Sequence, residues 1–311
     1  MSDTFFSGAP HWTWFIIPYF FIGGLAGGAY FLAATLEWFG RPADRPVIRT
    51  GYYIGAAGAI ASGLLLTLDL GRPLRFWHML FQSENFPTLM FKSWSPISFG
   101  AWGLLIFGAF ATLSALGAMH EEGRLQAPLF RALHTGPIAK VVAAIGGLGG
   151  FFVAGYTGVL LAVTNRPIWA DSPWLGALFL VSGASTGAAT LILLSPRRGA
   201  TEQSLHWLNG FDTRALLVEL VVLGAFLVSL GNVNKVWLGV WGAVLLLGVL
   251  GVGILIPLGL HWKPATFGGL ATRPAVNAAR LVLVGGLLLR VATILASEGV
   301  DRVRVVAGTG P

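Results

Sequence analysis

Long apolar runs broken by short polar joins organise this chain. Stretches of about 20 apolar residues, enough to cross a hydrocarbon core, recur eight times: about 14–39, 48–69, 94–119, 138–163, 173–194, 213–231, 236–260 and 276–297. Proline, glycine and charge punctuate the joins, as at Gly40-Arg41-Pro42, Asn165-Arg166-Pro167, Ser195-Pro196-Arg197-Arg198 and His261-Trp262-Lys263-Pro264. None of the joins is long enough for a soluble domain. The pattern predicts an all-α integral membrane protein, with residues 1–311 forming a single eight-helix membrane domain.

Two of the runs share a small-residue pattern. Span 1 has Gly24-Leu25-Ala26-Gly27-Gly28-Ala29 and span 5 has Gly183-Ala184-Ser185-Thr186-Gly187-Ala188. Both contain Gly-x-x-x-Gly, which lets helix backbones approach closely. Four spans separate them, so the two helices run in the same direction. Two four-helix halves are expected, either from duplication or from the general use of small residues at membrane-helix contacts.

Composition supports a membrane location. Of 311 residues 55% are hydrophobic and 11% charged, with mean hydropathy +0.74, whereas soluble domains carry about 25% charged residues. The net charge of +7 does not point to nucleic acid, because the basic residues sit in short joins where they set orientation. Joins after spans 1, 3, 5 and 7 hold twelve of the twenty Lys and Arg, and the opposite side holds seven. The positive-inside rule then places both termini outside the cytoplasm, for a multi-pass protein of the bacterial cytoplasmic membrane. Tryptophans gather on the outer side (Trp77, Trp94, Trp102 and Trp169 among them), which suggests a docking surface or ligand mouth there, or a lopsided aromatic belt. Met1–His11 contains no lysine or arginine, and the first apolar stretch is longer than a signal h-region, so no cleavable signal is expected.

The absence of cysteine excludes cysteine-ligated iron–sulfur clusters, c-type haem attachment and disulfides in this chain. His11, His78, His120, His134, His206 and His261 all fall in joins or at span ends. No pair is expected to face across the bilayer as haem ligands, so no metal centre is expected.

Ionisable groups at membrane depth are costly and mark function. The run Asp69-Leu70-Gly71-Arg72-Pro73-Leu74-Arg75-Phe76-Trp77-His78 follows span 2. Tyr19, Tyr156 and Arg290 lie toward the same outer side. A quinone headgroup needs a donor for each of two carbonyl oxygens and takes up two protons on reduction. Tyr, His and Arg supply donors and Asp passes protons. Plainer readings stand beside these. Asp69 with Arg72 or Arg75 forms an interfacial ion pair, Tyr156 packs a helix, Tyr19 belongs to the aromatic belt, His78 contacts a partner, and Arg290 snorkels outward. Toward the inner side, Glu37 and Glu219, with Ser182, Ser185, Thr186 and Thr190, form a candidate proton relay; otherwise Glu37 is solvated and the hydroxyls only hold helices together.

At these residues the chain resembles the NrfD/PsrC family, the membrane subunits of polysulfide-reductase-like complexes. The resemblance rests on Leu68-Asp69-Leu70-Gly71-Arg72-Pro73 with Arg75-Phe76-Trp77, on Ser93-Trp94-Ser95-Pro96 through Gly103, on Gly155-Tyr156-Thr157-Gly158 followed by Asn165-Arg166-Pro167-Ile168-Trp169, and on Ser182-Gly183-Ala184-Ser185-Thr186-Gly187-Ala188-Ala189. It implies an eight-helix quinone-binding subunit without a metal centre of its own. It also implies a ferredoxin-like multi-cluster iron–sulfur subunit docked at the outer face, linked to a molybdopterin catalytic subunit. Tyr156 carries over as a quinone ligand. Tyr19 stands where some members have a histidine, which leaves the second headgroup ligand open among Tyr19, Asp69 and Arg290. The expectation is a quinone- or quinol-reactive anchor using menaquinone or ubiquinone, with Tyr156 and Asp69 catalytic and Tyr19, Arg72, Arg75, His78 and Arg290 binding. A secondary transporter, with helix breaks near the midplane of paired spans, and a passive anchor without a quinone site are the alternatives.

Overall fold

The computed structural model describes residues 14–133, 135–267 and 273–306, with side chains as far as Ser297 in the last segment. The expectations for Met1–His11, Trp12 and His134 lie outside the described residues. Eight helical segments follow one another: α1 (Ile16–Phe39), α2 (Arg45–Asp69), α3 (Pro96–Glu121), α4 (Gly136–Ala162), α5 (Leu175–Leu194), α6 (Glu202–Ser229), α7 (Val240–Trp262) and α8 (Pro274–Val306). Seven are long and apolar enough to cross a membrane alone. The eighth, α6, carries Asp212, Arg214 and Glu219, and passes only together with the 3-10 turn Gly231–Leu238, against which it bends by 108°. The chain is therefore an all-α membrane protein of seven to eight spans.

Several helices begin before the apolar runs do. Pro46 and Pro137 sit in first turns, where a missing N–H costs nothing. The Thr201 side chain accepts from Ser204 N at 3.2 Å, so α6 starts at Glu202, eleven residues ahead of its apolar run. A cap and favourable first-turn residues extend a helix through polar sequence that an apolar count does not register.

The helices close into two rings. In the first, α1 packs on α2, α2 on α3, α3 on α4 and α4 on α1; in the second, α5, α6, α7 and α8 do the same in order. The rings join where α1 meets α5 and α8, and where α4 meets α5. At this seam the two Gly-x-x-x-Gly patterns face each other. A Cβ on Gly28 would overlap the Gly183 carbonyl, and a Cβ on Gly187 would overlap the α1 backbone at Gly28 and Ala29. Within the first ring, Gly27 of α1 and Gly150 of α4 are pressed together in the same way. Close backbone approach of this kind is how membrane helices gain packing when burial from water offers no drive.

One end of the bundle, the Asp69 end, carries the start of α1 and the 70–95 connection. The opposite, Arg45 end carries an ion network. Arg45 reaches Glu37 and Glu121, each at 2.5 Å, while Arg49, Arg124 and Arg198 converge on Glu122. Ser204 donates to Asp44 at 2.5 Å, tying the α1–α2 join to α6.

Candidate functional site

Two buried polar assemblies lie on opposite faces of α1. The first is neutral. Tyr156, near the Asp69 end of α4, donates from its hydroxyl to the Pro96 carbonyl at 2.5 Å. Its ring stacks on Phe152 with centroids 5.2 Å apart. The small residues of α3 make room for this stack: a side chain on Gly100 would enter the Tyr156 ring, and one on Gly103 the Phe152 ring. Tyr19 of α1 is buried and is an electrostatic neighbour of Tyr156. Ser62 of α2 completes the group: Gly23 lies between its hydroxyl, the Tyr19 ring and Val153, so that a Cβ there would be 3.4, 3.8 and 3.6 Å from them.

These hydroxyls are not equally committed. Ser62 Oγ is fully buried and has no hydrogen-bond partner among the described residues. A buried hydroxyl left unpaired costs roughly 1–3 kcal/mol, so this is a place where a further polar group is favoured. Asp69 closes α2 at the same end and is half-buried. Beyond it Arg72 and Arg75 are exposed, and His78 lies edge-on against Trp77 at 4.0 Å.

The second assembly is charged. Arg290 of α8 is fully buried and does not snorkel. Its Nε donates to the Phe20 carbonyl at 3.2 Å, and its Nη1 to the Gly286 carbonyl at 2.7 Å and to Ser182 Oγ at 3.1 Å. The guanidinium also stacks over Phe179, with its Cζ 5.1 Å from the ring centroid. Glu219 of α6 is also buried, beside Ser182 and within electrostatic reach of Arg290 and Asp212. Asp212, two turns nearer the Arg45 end, accepts from Ser185 at 2.8 Å and faces His261 Nε2 at 3.4 Å. A row of polar groups therefore runs from His261 at the end of α7, past Asp212, Ser185, Glu219 and Ser182, to Arg290.

The structure thus brings Tyr19 and Tyr156 together, with Asp69 at the same end, and places Arg290 across α1 from them. It also separates Glu37 from Glu219. Glu37 lies in the ion network, accepting from Arg45 and from the Tyr52 hydroxyl at 3.2 Å. Thr186 and Thr190 bond back to their own helix carbonyls. Ser62, Asp212 and His261 are not among the site residues that sequence reasoning singles out. The seven-residue spacing of Asp212 and Glu219 puts both on one face of α6 and is a readable signal. The burial of Ser62 has none. Among the described residues no group of three or more His, Asp or Glu could hold a metal ion.

Comparisons with known proteins agree with this architecture. The family described as Polysulphide reductase, NrfD matches residues 4–299. Protein NrfD of Escherichia coli (strain K12) is 29% identical, covering 92% of this chain and 95% of its own length. The C subunit of polysulfide reductase from Wolinella succinogenes is also 29% identical, over 80% of this chain and 82% of its own length. The match from the first span to the last, on a bundle of apolar helices, makes this chain a member of the NrfD family and a multi-pass protein of the bacterial cytoplasmic membrane.

Proposed function

We propose that this membrane subunit of a respiratory oxidoreductase reacts with membrane quinone, menaquinone or ubiquinone, between Tyr19, Ser62 and Tyr156. The observation that carries the reading is the unpaired buried hydroxyl of Ser62, beside Tyr19 and Tyr156. A quinone supplies two carbonyl oxygens and two-electron, two-proton redox chemistry. Tyr156 can turn its proton from the Pro96 carbonyl toward a headgroup oxygen. Tyr19 and Ser62 offer donors from α1 and α2, and Phe152 flanks the ring plane. Asp69, at the mouth, suits a group that exchanges protons with water. Arg72, Arg75 and His78 belong to the rim in this reading.

On the orientation set by the basic joins, with both termini outside the cytoplasm, this end faces outward. The adjoining 70–95 connection exposes Leu74, Phe76, Phe86 and Trp94 next to Arg72 and Arg75. An apolar, cationic surface of this kind fits docking of a ferredoxin-like iron–sulfur subunit, with a molybdopterin catalytic chain beyond it. The chain itself is taken as a single eight-helix domain. In the purified complex, Tyr156→Phe is expected to lower quinone-linked turnover about 100-fold or more while the complex still assembles. Asp69→Asn is expected to impair the same step. Wild-type turnover in both variants would remove the site assignment.

The row from His261 to Arg290 supports proton transfer through the second ring from the Arg45 end, with Glu219 as its central carrier and Glu37 outside it. With the complex in liposomes, Glu219→Gln is expected to retain electron transfer and lose proton uptake from that side, read with a pH-sensitive dye. Unchanged uptake would discard the relay. Transport of a solute is less well supported: α7 is π-helical over Val244–Leu255, but α3, its counterpart in the first ring, is continuous, so the breaks are not paired. Solute uptake into liposomes by this chain alone would favour transport.

A further inference from the structure

At the Arg45 end a groove of about 300 Å³ opens between α2 and the turn after α5. Thr50, Tyr53, Ile54 and Ala57 line it from one side, and Leu194, Arg197 and Arg198 from the other. Its chemistry is divided. Ile54, Ala57 and Leu194 form an apolar wall, and two guanidinium groups stand at the mouth. The wall continues up α2: Ala57, Ile60 and Leu64 are exposed on one helix face at three- and four-residue spacing, which gives a track that faces the hydrocarbon.

The two arginines are held differently. Arg198 is fixed, with Nη1 3.0 Å from Glu122 and its guanidinium 4.6 Å above the Tyr53 ring. Arg197 is exposed and forms no ion pair among the described residues. The acids nearby are already shared. Glu122 serves Arg49, Arg124 and Arg198, and Glu121 serves Arg45 and Arg49. Even so, Arg49 Nε is buried without a hydrogen bond among the described residues. Positive charge therefore exceeds negative charge where the groove opens.

We infer that this groove binds an anionic phospholipid, with the phosphate across Arg197 and Arg198 and an acyl chain along Ile54, Ala57, Ile60 and Leu64. The uncompensated charge selects an anionic headgroup over a zwitterionic one. The apolar track selects a lipid over free phosphate. Because α2 belongs to the first ring and Arg197 and Arg198 follow α5 of the second, the lipid clips the two rings together at the end opposite the Tyr156 site.

The test uses the full chain, stripped of native lipid in detergent and then given phosphatidylglycerol or phosphatidylcholine. Bound lipid is counted by native mass spectrometry, and thermal unfolding is followed in parallel. Phosphatidylglycerol is expected to be retained in preference to phosphatidylcholine and to raise the melting temperature. Arg197→Gln is expected to weaken retention about fivefold, the contribution of one basic side chain near an anionic headgroup, and Arg197→Lys to restore most of it. Arg214→Gln, at an exposed arginine on α6 outside this groove, should leave retention unchanged. Equal retention of the two lipids, indifference to Arg197→Gln, competition by inorganic phosphate alone, or a second protein chain on the groove in place of lipid would each overturn the proposal.

Discussion

The two rings place buried polar groups in equivalent helices, yet treat them in opposite ways. In the first ring the space between α1, α2 and α4 holds Tyr19, Ser62 and Tyr156, all neutral, with a buried hydroxyl left unpaired. In the second, the space between α5, α6 and α8 holds Ser182, Glu219 and Arg290, two of them ionisable, with the arginine donating to three helices. Gly23 of α1 and Ser182 of α5 stand one residue before the glycine of their respective patterns. Ser62 lies against the former and Glu219 against the latter. The difference shows how one scaffold divides two tasks. A charge inside a membrane must be compensated within the protein, so the second ring's arginine is tied into fixed acceptors, one of them the Phe20 carbonyl of α1. A neutral site can leave donors open for a guest, so the first ring is the one suited to binding.

The difference between the rings is most sensitive at Arg290. Arg290→Met removes donors from the Phe20 and Gly286 carbonyls and leaves Glu219 without its neighbouring cation. A loss of about 3–5 kcal/mol is expected, read as a collapse of melting temperature or of folded yield, with Arg290→Lys recovering part of it. Tyr156→Phe, by contrast, should cost only about 1 kcal/mol of stability through the bond to Pro96, although it is expected to lower turnover about 100-fold or more. A melting shift as large as that of Arg290→Met would mean that the two sites are not different in kind.

Seam variants test the scaffold shared by both. Gly187→Val drives a side chain into the α1 backbone and should cost about 1–3 kcal/mol by thermal unfolding, whereas Gly63→Ala meets nothing within 4 Å and should be silent. The smallest effect is expected at Ser62. Ser62→Ala removes an unpaired buried hydroxyl, so stability should hold or rise by up to about 1 kcal/mol, while the KM for quinone increases. A clear loss of stability would show that Ser62 is already satisfied and would undo the contrast.

Much of this organisation is legible in the sequence. The eight apolar runs correspond to α1–α8, and the glycine patterns at Gly24–Gly28 and Gly183–Gly187 mark the helices that meet at the seam. Tyr19, Tyr156 and Asp69 are expected at one end and are found there. Sequence reasoning lets Arg290 face outward because its position along α8 gives depth but not azimuth. Its side chain turns instead into the second ring, where the Phe20, Phe179 and Gly286 carbonyls and Ser182 surround it. Glu37 and Glu219 look like one relay in sequence because both lie in helices that begin or end at the Arg45 end. The rings hold them apart.

Sequence by itself determined the class, the succession of apolar helices, one helix pair that packs closely and the lack of cysteine ligands. Each of these follows from local composition: apolar length sets crossing, small residues set closeness, and a missing side chain cannot be supplied by folding. Only the tertiary structure decided which polar residues share a space. That depends on the rotation of each helix about its axis, which is set by the helices packed around it and not by its own sequence. So Ser62 joined Tyr19 and Tyr156, Asp212 joined His261, and Arg290 went to the second ring, where the Phe20 carbonyl and Ser182, both far away along the chain, join the Gly286 carbonyl of its own helix in taking its hydrogen bonds.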